Sequence, residues 1–136
     1  MKRFIYFLAL ILIIISCKKE SGEGGTSVIE GKVYKIYTYQ NITGEIDTVY
    51  YQLDAKKDVF IIYSDNESAV YDDNFETDYN GRYRFEYLRK GDYIVYTYAD
   101  SSDVNTTYDY PVFQKVKISS NNSTVFLDDF VIEKNQ

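Results

Sequence analysis

One thiol, no imidazole and a surplus of carboxylates limit the chemistry open to this chain of 136 residues. Ser–His–Asp hydrolysis and tetrahedral zinc both need His or several Cys, and neither is available. With 21 Asp and Glu, some carboxylate pair will fall at the spacing of a glycoside hydrolase by chance, so such a pair carries no weight. Asp72, Asn74, Glu76 and Asp78 alternate along D-D-N-F-E-T-D, and oxygen ligands at every second position are how a loop turns carboxylates onto calcium. An EF-hand needs Gly at its sixth position, where Thr77 stands, and a bidentate Glu at its twelfth, where Tyr83 stands. A solvated acidic edge, with Asp78 capping a turn, is the stronger reading of the same residues. The remaining candidates are rings. Tyr96 and Tyr98 on a strand, with Tyr108 and Tyr110 on the adjoining loop, would offer a row of apolar faces to sugar rings, with Asp and Asn nearby for the hydroxyls. The competing reading is that Tyr simply covers the outer face of a sheet, where its shape suits a half-buried strand. The chain reads as a non-catalytic protein with no cofactor and no metal.

The charge balance narrows the partners. The formal net charge is −6, and removing a leader that carries Lys2 and Arg3 but no acid gives −6 − 2 = −8. Nucleic-acid binders need Lys and Arg clustered on one face, so nucleic acid is set aside, as is electrostatic adhesion to anionic lipid. The N-terminus points to a membrane by another route. Phe4 to Ile15 is an unbroken apolar run behind Lys2-Arg3, too short to span a bilayer, which takes about 20 residues. Ile14-Ile15-Ser16-Cys17 resembles a bacterial lipobox. That resemblance implies a signal peptide over 1–16, cleavage before Cys17, and lipidation of Cys17. Several acyl chains on one residue give stable anchoring. Lys18 to Ser27, with three Gly and no large apolar side chain, reads as a flexible tether, giving a lipidated segment over 17–27. The leader and the Tyr/Asn/Asp-rich body resemble lipoproteins of the Bacteroidota, which implies the cell envelope and its outer membrane.

A domain over 28–134 must position the rings, and its pattern is that of strands. Val28–Gln40 is a long first strand, Asp47–Leu53 a second and Asp58–Tyr63 a third, the last with the densest apolar run. Short strands are expected at Ala69–Tyr71 and Phe75–Thr77. Asn80-Gly81 predicts a type I′ turn. Tyr83, Phe85 and Tyr87 then alternate with Arg82, Arg84 and Glu86, which is one buried and one wet face. Arg89–Asp92 is a turn and Tyr93–Tyr98 a strand, so this stretch reads as a meander. A long polar loop over Ala99–Asp109 and strands at Val112–Ile118 and Val125–Ile132 complete seven to nine strands with no helix in the domain, the count of an antiparallel two-sheet sandwich.

The pattern T-D-x-x-G-x-Y-x-F-x-x-L-x-x-G-x-Y-x-V, carried by Thr77, Asp78, Gly81, Tyr83, Phe85, Leu88, Gly91, Tyr93 and Val95, resembles the carboxypeptidase-regulatory-like and Cna-B-like domains. Ile29, Gly31 and Val33 resemble their opening I-x-G-x-V. The resemblance implies an all-β, transthyretin-like sandwich of about seven strands serving a structural or adhesive role. Cna-B-like domains often carry a Lys–Asn isopeptide, for which Lys32 or Lys35 with Asn121, Asn122 or Asn135 would be the partners. The Glu expected after the Y-x-V strand is absent from Y-T-Y-A-D at Tyr96–Asp100, so no bond is expected. Asp47-Thr48-Val49 resembles a Bacteroidota O-glycosylation sequon, with Thr48 as acceptor. The expected function is an interaction or structural module with a protein partner in the envelope; the alternative is a glycan-binding surface lipoprotein using Tyr96, Tyr98, Tyr108 and Tyr110.

Overall fold

The computed structural model describes residues 20–100 and 108–133, without the side chains of 39, 40 and 46–49. The expected signal peptide over 1–16, Cys17, most of the Ala99–Asp109 loop and Asn135 lie outside the described residues. Nine strands follow in order: β1 (Glu23–Gln40), β2 (Ile46–Leu53), β3 (Asp58–Ile62), β4 (Asp73–Glu76), β5 (Arg82–Leu88), β6 (Gly91–Asp100), β7 (Asp109–Ile118), β8 (Thr124–Phe126) and β9 (Phe130–Glu133). They form two sheets in an all-β open sandwich, with no helix among the described residues.

Sheet 1 is built on β1. Its first half pairs with β5 and its second half with β2, both antiparallel, while β8 and then β9 run parallel to it. Val33 shows how the halves join. Its N–H donates to the Gly81 carbonyl at 2.8 Å and its own carbonyl accepts from Asp54 N–H at 2.9 Å, so β5 and β2 follow one another along one edge. Sheet 2 is antiparallel throughout, in the order β4-β3-β6-β7. The core between the sheets is made by Ile29 and Val33 of β1, Val59 and Ile61 of β3, and Tyr83, Phe85 and Leu88 of β5. Tyr93, Val95 and Ala99 of β6, Ile118 of β7 and Phe130 and Ile132 of β9 complete it.

Several local expectations change. The stretch read as a meander is none: β5 pairs with β1 in sheet 1, while β4 and β6 belong to sheet 2, so each tight turn crosses from one sheet to the other. The Asn80-Gly81 turn is not type I′, because only Gly81 has positive φ, at 64°. Asp78 C=O accepts from Gly81 N–H at 2.9 Å and Asp78 N–H donates to Arg82 C=O at 3.0 Å, which is a type I turn closed by a glycine bulge. A Cβ on Gly81 would lie 2.6 Å from the Val33 carbonyl oxygen. Tyr87 does not follow Tyr83 and Phe85 inward. Its φ of 58° breaks the two-residue period, leaving it 69% exposed and turning Leu88 into the core. Val125–Ile132 is two short strands, because the pairing with β1 lapses after Leu127 N–H donates to the Glu30 carbonyl and resumes at Phe130. Ala69–Tyr71 is loop, and the expected Phe75–Thr77 strand is β4, which runs from Asp73 to Glu76.

The boundary near the N-terminus also differs. β1 starts at Glu23, inside the stretch whose glycines suggested a tether. Those glycines let backbone approach backbone: a Cβ on Gly25 would sit 2.0 Å from the Leu88 carbonyl oxygen.

Candidate functional site

β6 decides the character of sheet 2. Residues Tyr93 to Thr97 are buried without a break, so this strand is covered on both faces where β5 is covered on one. Tyr93, Val95 and Ala99 enter the core, and Ile94, Tyr96 and Tyr98 point the opposite way. Register then sets their neighbours. Phe60 of β3 pairs with Asn74 on one side and Tyr96 on the other, and Tyr96 pairs with Phe113 of β7, making one transverse row. The next row is Ile62, Ile94 and Lys115. Over that end of the face lies the 64–72 loop. Ala69 packs on the Ile62–Ile94–Tyr96 group, and Glu67 reaches Lys115 at 2.9 Å. Asp72 holds the loop's return by accepting from Tyr63 N–H at 2.7 Å.

The result is an aromatic layer on the outer face. Phe60 and Tyr96 stack with centroids 5.1 Å apart and planes 22° apart. Phe113 stands 5.1 Å from Tyr96. Tyr98 meets Phe60 edge-on at 5.8 Å and Tyr96 at 5.6 Å, and Tyr71 leans on Phe60 at 4.9 Å. Tyr96 is only 7% exposed, whereas Tyr98 is 36% and Tyr71 46% exposed. Burial pushes the Tyr96 hydroxyl pKa up to about 12, with the neighbouring Tyr98 hydroxyl adding to the shift. Tyr96 therefore forms the floor, and the accessible rings are Tyr71 and Tyr98, with parts of Phe60 and Phe113.

The four Tyr singled out in the sequence do not form one row. Tyr96 and Tyr98 touch, but Tyr110 pairs with Ala99, whose methyl lies in the core, so Tyr110 stands on the inner side of the sheet. Tyr108 is exposed just ahead of β7. Phe60, Tyr71 and Phe113 belong to the face and were not singled out. The signal for Phe60 lay in the two-sided apolar run D-V-F-I-I-Y, whereas Phe113 directly follows the apolar Val112 and no alternation marks it.

The other sequence candidates are used locally. Asp78 caps its turn, accepting from Asn80 and Arg82 N–H at 2.8 and 2.9 Å. The hydrogen bond from Arg82 N–H, ahead of the other contacts, holds its carboxyl below the usual range. Asn74 and Glu76 lie along the extended β4, while Asp72 is held by Tyr63 N–H and Asp78 by its own turn. Among the described residues no cluster of three or more Asp, Glu, Cys or His could hold a metal ion. Lys35 lies 3.3 Å from Asp54. Burial works against its charge, but the hydrogen bond and attraction of Asp54 outweigh it and raise the Lys35 pKa. Thr48 sits in β2 opposite Tyr39, with its side chain outside the described residues. A concavity of about 630 Å³ is lined by Glu30, Lys32, Arg82 and Arg84 of sheet 1 together with Phe126 and with Phe75 of sheet 2. Its floor is charged: Arg84 pairs with Glu30 at 2.6 Å and Glu86 at 2.5 Å, and Lys32 lies opposite Arg82 on the adjoining strand.

No protein-family model and no curated protein matches the chain. Among solved structures, the chain is similar to a candidate carbohydrate-binding protein from Pseudomonas aeruginosa, at 16% identity and a TM-score of 0.45, over 84% of this chain and 92% of that one.

Proposed function

We propose that this chain is a non-catalytic interaction module of the cell envelope, anchored by lipid at Cys17, that docks a protein partner on the outer face of sheet 2. The anchor rests on the order of cationic start, apolar run, small residue and Cys in the sequence. The family reading, a carboxypeptidase-regulatory-like or Cna-B-like domain, rests on the nine pattern residues, and it favours a structural role over chemistry. The docking surface rests on one observation. Tyr71, Phe60, Tyr96, Tyr98 and Phe113 are joined ring to ring on an outward face that still leaves Tyr71 and Tyr98 open. Contiguous exposed aromatic surface of this kind marks interaction sites more than scattered apolar residues do, and Tyr and Phe are enriched in the centres of protein interfaces.

The competing reading, a glycan-binding lipoprotein, draws on the same rings and on the Asn74 amide beside Phe60. It is disfavoured by Tyr96, which has Phe60, Phe113 and Tyr98 around it and no free face for a pyranose. A photo-crosslinking residue in place of Tyr98, compared with the same residue in place of Tyr87, separates the two. The protein-partner reading expects a discrete envelope protein captured at position 98, absent at 87 and lost on adding Tyr71→Ser. A domain that retards on polysaccharide gels and captures no protein would favour the glycan reading instead.

A further inference from the structure

We infer that the sandwich stands on the membrane by one defined end, with the β5–β6 and β7–β8 turns against the lipid headgroups and β1 running away from the bilayer. The inference rests on the proposed lipidation of Cys17 and adds to it an orientation and a lipid-facing surface.

The observation behind it is how early the chain is fixed. Gly22 N–H donates to the Tyr93 hydroxyl at 2.9 Å, and Gly22 C=O accepts from Arg89 N–H at 2.9 Å. The Tyr93 hydroxyl in turn donates to the Arg89 carbonyl at 2.7 Å. Tyr93 is itself 1% exposed and braced by Tyr63 at 5.9 Å. One buried tyrosine thus ties residue 22 to the β5–β6 turn. Slightly further on, Thr26 Oγ1 accepts from Asn122 N–H at 3.1 Å and Ser27 Oγ donates to the Ser120 carbonyl at 3.0 Å, tying the same segment to the β7–β8 turn.

Contour length then sets the standoff. Four residues separate Cys17 from the pinned Gly22, five steps of at most about 3.6 Å each, so the lipidated Cys and the pinned end are no more than about 18 Å apart. A long glycine tether would let the domain tumble; four residues joined to a clamped strand keep this end close to the headgroups. Arg89 and Lys90 sit in the turn that faces them. β1 leaves this end and continues to Gln40, the stretch from Ser27 covering at most about 45 Å at the usual strand rise. The turn at Asp78–Arg82, Tyr98, Tyr108 and the β1–β2 hairpin therefore point away from the bilayer, and the aromatic face becomes a side wall open to a partner.

The chain has no Trp, so a single introduced Trp is a clean reporter. Lys90→Trp places it on the lipid-facing turn and Tyr79→Trp on the distal one. Both positions are exposed. The lipidated full-length proteins, purified from cells that process them, are reconstituted into phosphatidylcholine vesicles carrying a nitroxide on the choline headgroup. The expected result is several-fold stronger quenching for Lys90→Trp than for Tyr79→Trp, with the difference abolished by a ten-residue Gly/Ser insertion between Glu20 and Ser21. Equal quenching in proteins that float with the vesicles would overturn the orientation while leaving the anchor intact. Stronger quenching of Tyr79→Trp would do the same. Failure of the processed proteins to float would overturn the anchor and the orientation with it.

Discussion

The two outer faces of this sandwich obey opposite rules. On sheet 1, β5 sends Arg82, Arg84 and Glu86 to water, and its Arg84 is held between Glu30 and Glu86. On sheet 2, β6 sends Ile94, Tyr96 and Tyr98 outward, and a loop and neighbouring rings cover most of them. Both strands send large apolar residues to the same core, so the inner demand does not explain the contrast. A sheet needs only one apolar face to fold. The second apolar layer on sheet 2 exceeds that need, which makes it the region where a role other than folding is to be sought.

Truncation sharpens the contrast most directly. Phe85→Ala, on the core side of β5, should cost about 3–5 kcal/mol. Tyr96→Ala, on the outer side of β6, should cost about 2–3 kcal/mol, because its site is packed by three rings yet open enough to relax. Arg84→Ala should leave stability close to wild type, since exposed ion pairs exchange one hydrated arrangement for another. Chemical denaturation of the three variants checks the order. Equal effects for Tyr96→Ala and Arg84→Ala would mean that the outer aromatic layer is decoration and that the two faces do not differ energetically.

The same contrast explains what could be read from the sequence. β5 was legible because Arg82, Arg84 and Glu86 alternate with Tyr83 and Phe85, a period that only a half-wet strand produces. β6 was legible as a strand, but a run buried on both faces does not say what covers its second face; Ala69, Tyr71 and Phe113 come from parts of the chain that only topology brings together. Asn80-Gly81 was legible as a turn but not as a sheet-crossing one, since local φ preferences are silent about which strand pairs with which. Tyr87 was misplaced because a single positive φ reverses parity without leaving a mark in residue type. Lys18–Ser27 read as tether for the opposite reason: glycine permits both a loose chain and the closest packing of backbones, and here Leu88 and Arg89 press against Gly25 and Gly24.

A smaller effect separates the turn that joins the sheets from both faces. Asp78 accepts from two backbone N–H groups, and its carboxyl pKa in the folded protein lies below the ordinary 3.8. A depressed folded pKa means that the stabilisation is complete above 3.8 and is lost as pH falls through the lower, folded value. Asp78→Asn should therefore destabilise at neutral pH and converge on wild type in acid. Parallel stability curves from pH 7 down to pH 2 would show that the cap contributes through its shape alone.

The subtlest test returns to the aromatic face. Burial among Phe60, Phe113 and Tyr98 raises the Tyr96 hydroxyl from 10.0 to about 12. The neutral phenol is the favoured form in the fold, so its contribution to stability is intact below pH 10, declines as the unfolded chain ionises, and is gone above the folded pKa. Subtracting the alkaline absorbance titration of Tyr96→Phe from that of wild type isolates one phenol among 16. The difference should rise near pH 12, and Tyr96→Phe should lose less stability than wild type between pH 10 and 12. A Tyr96 difference curve centred at pH 10 would mean that water reaches this ring, that the layer has no floor, and that the outer face of sheet 2 is as open as that of sheet 1.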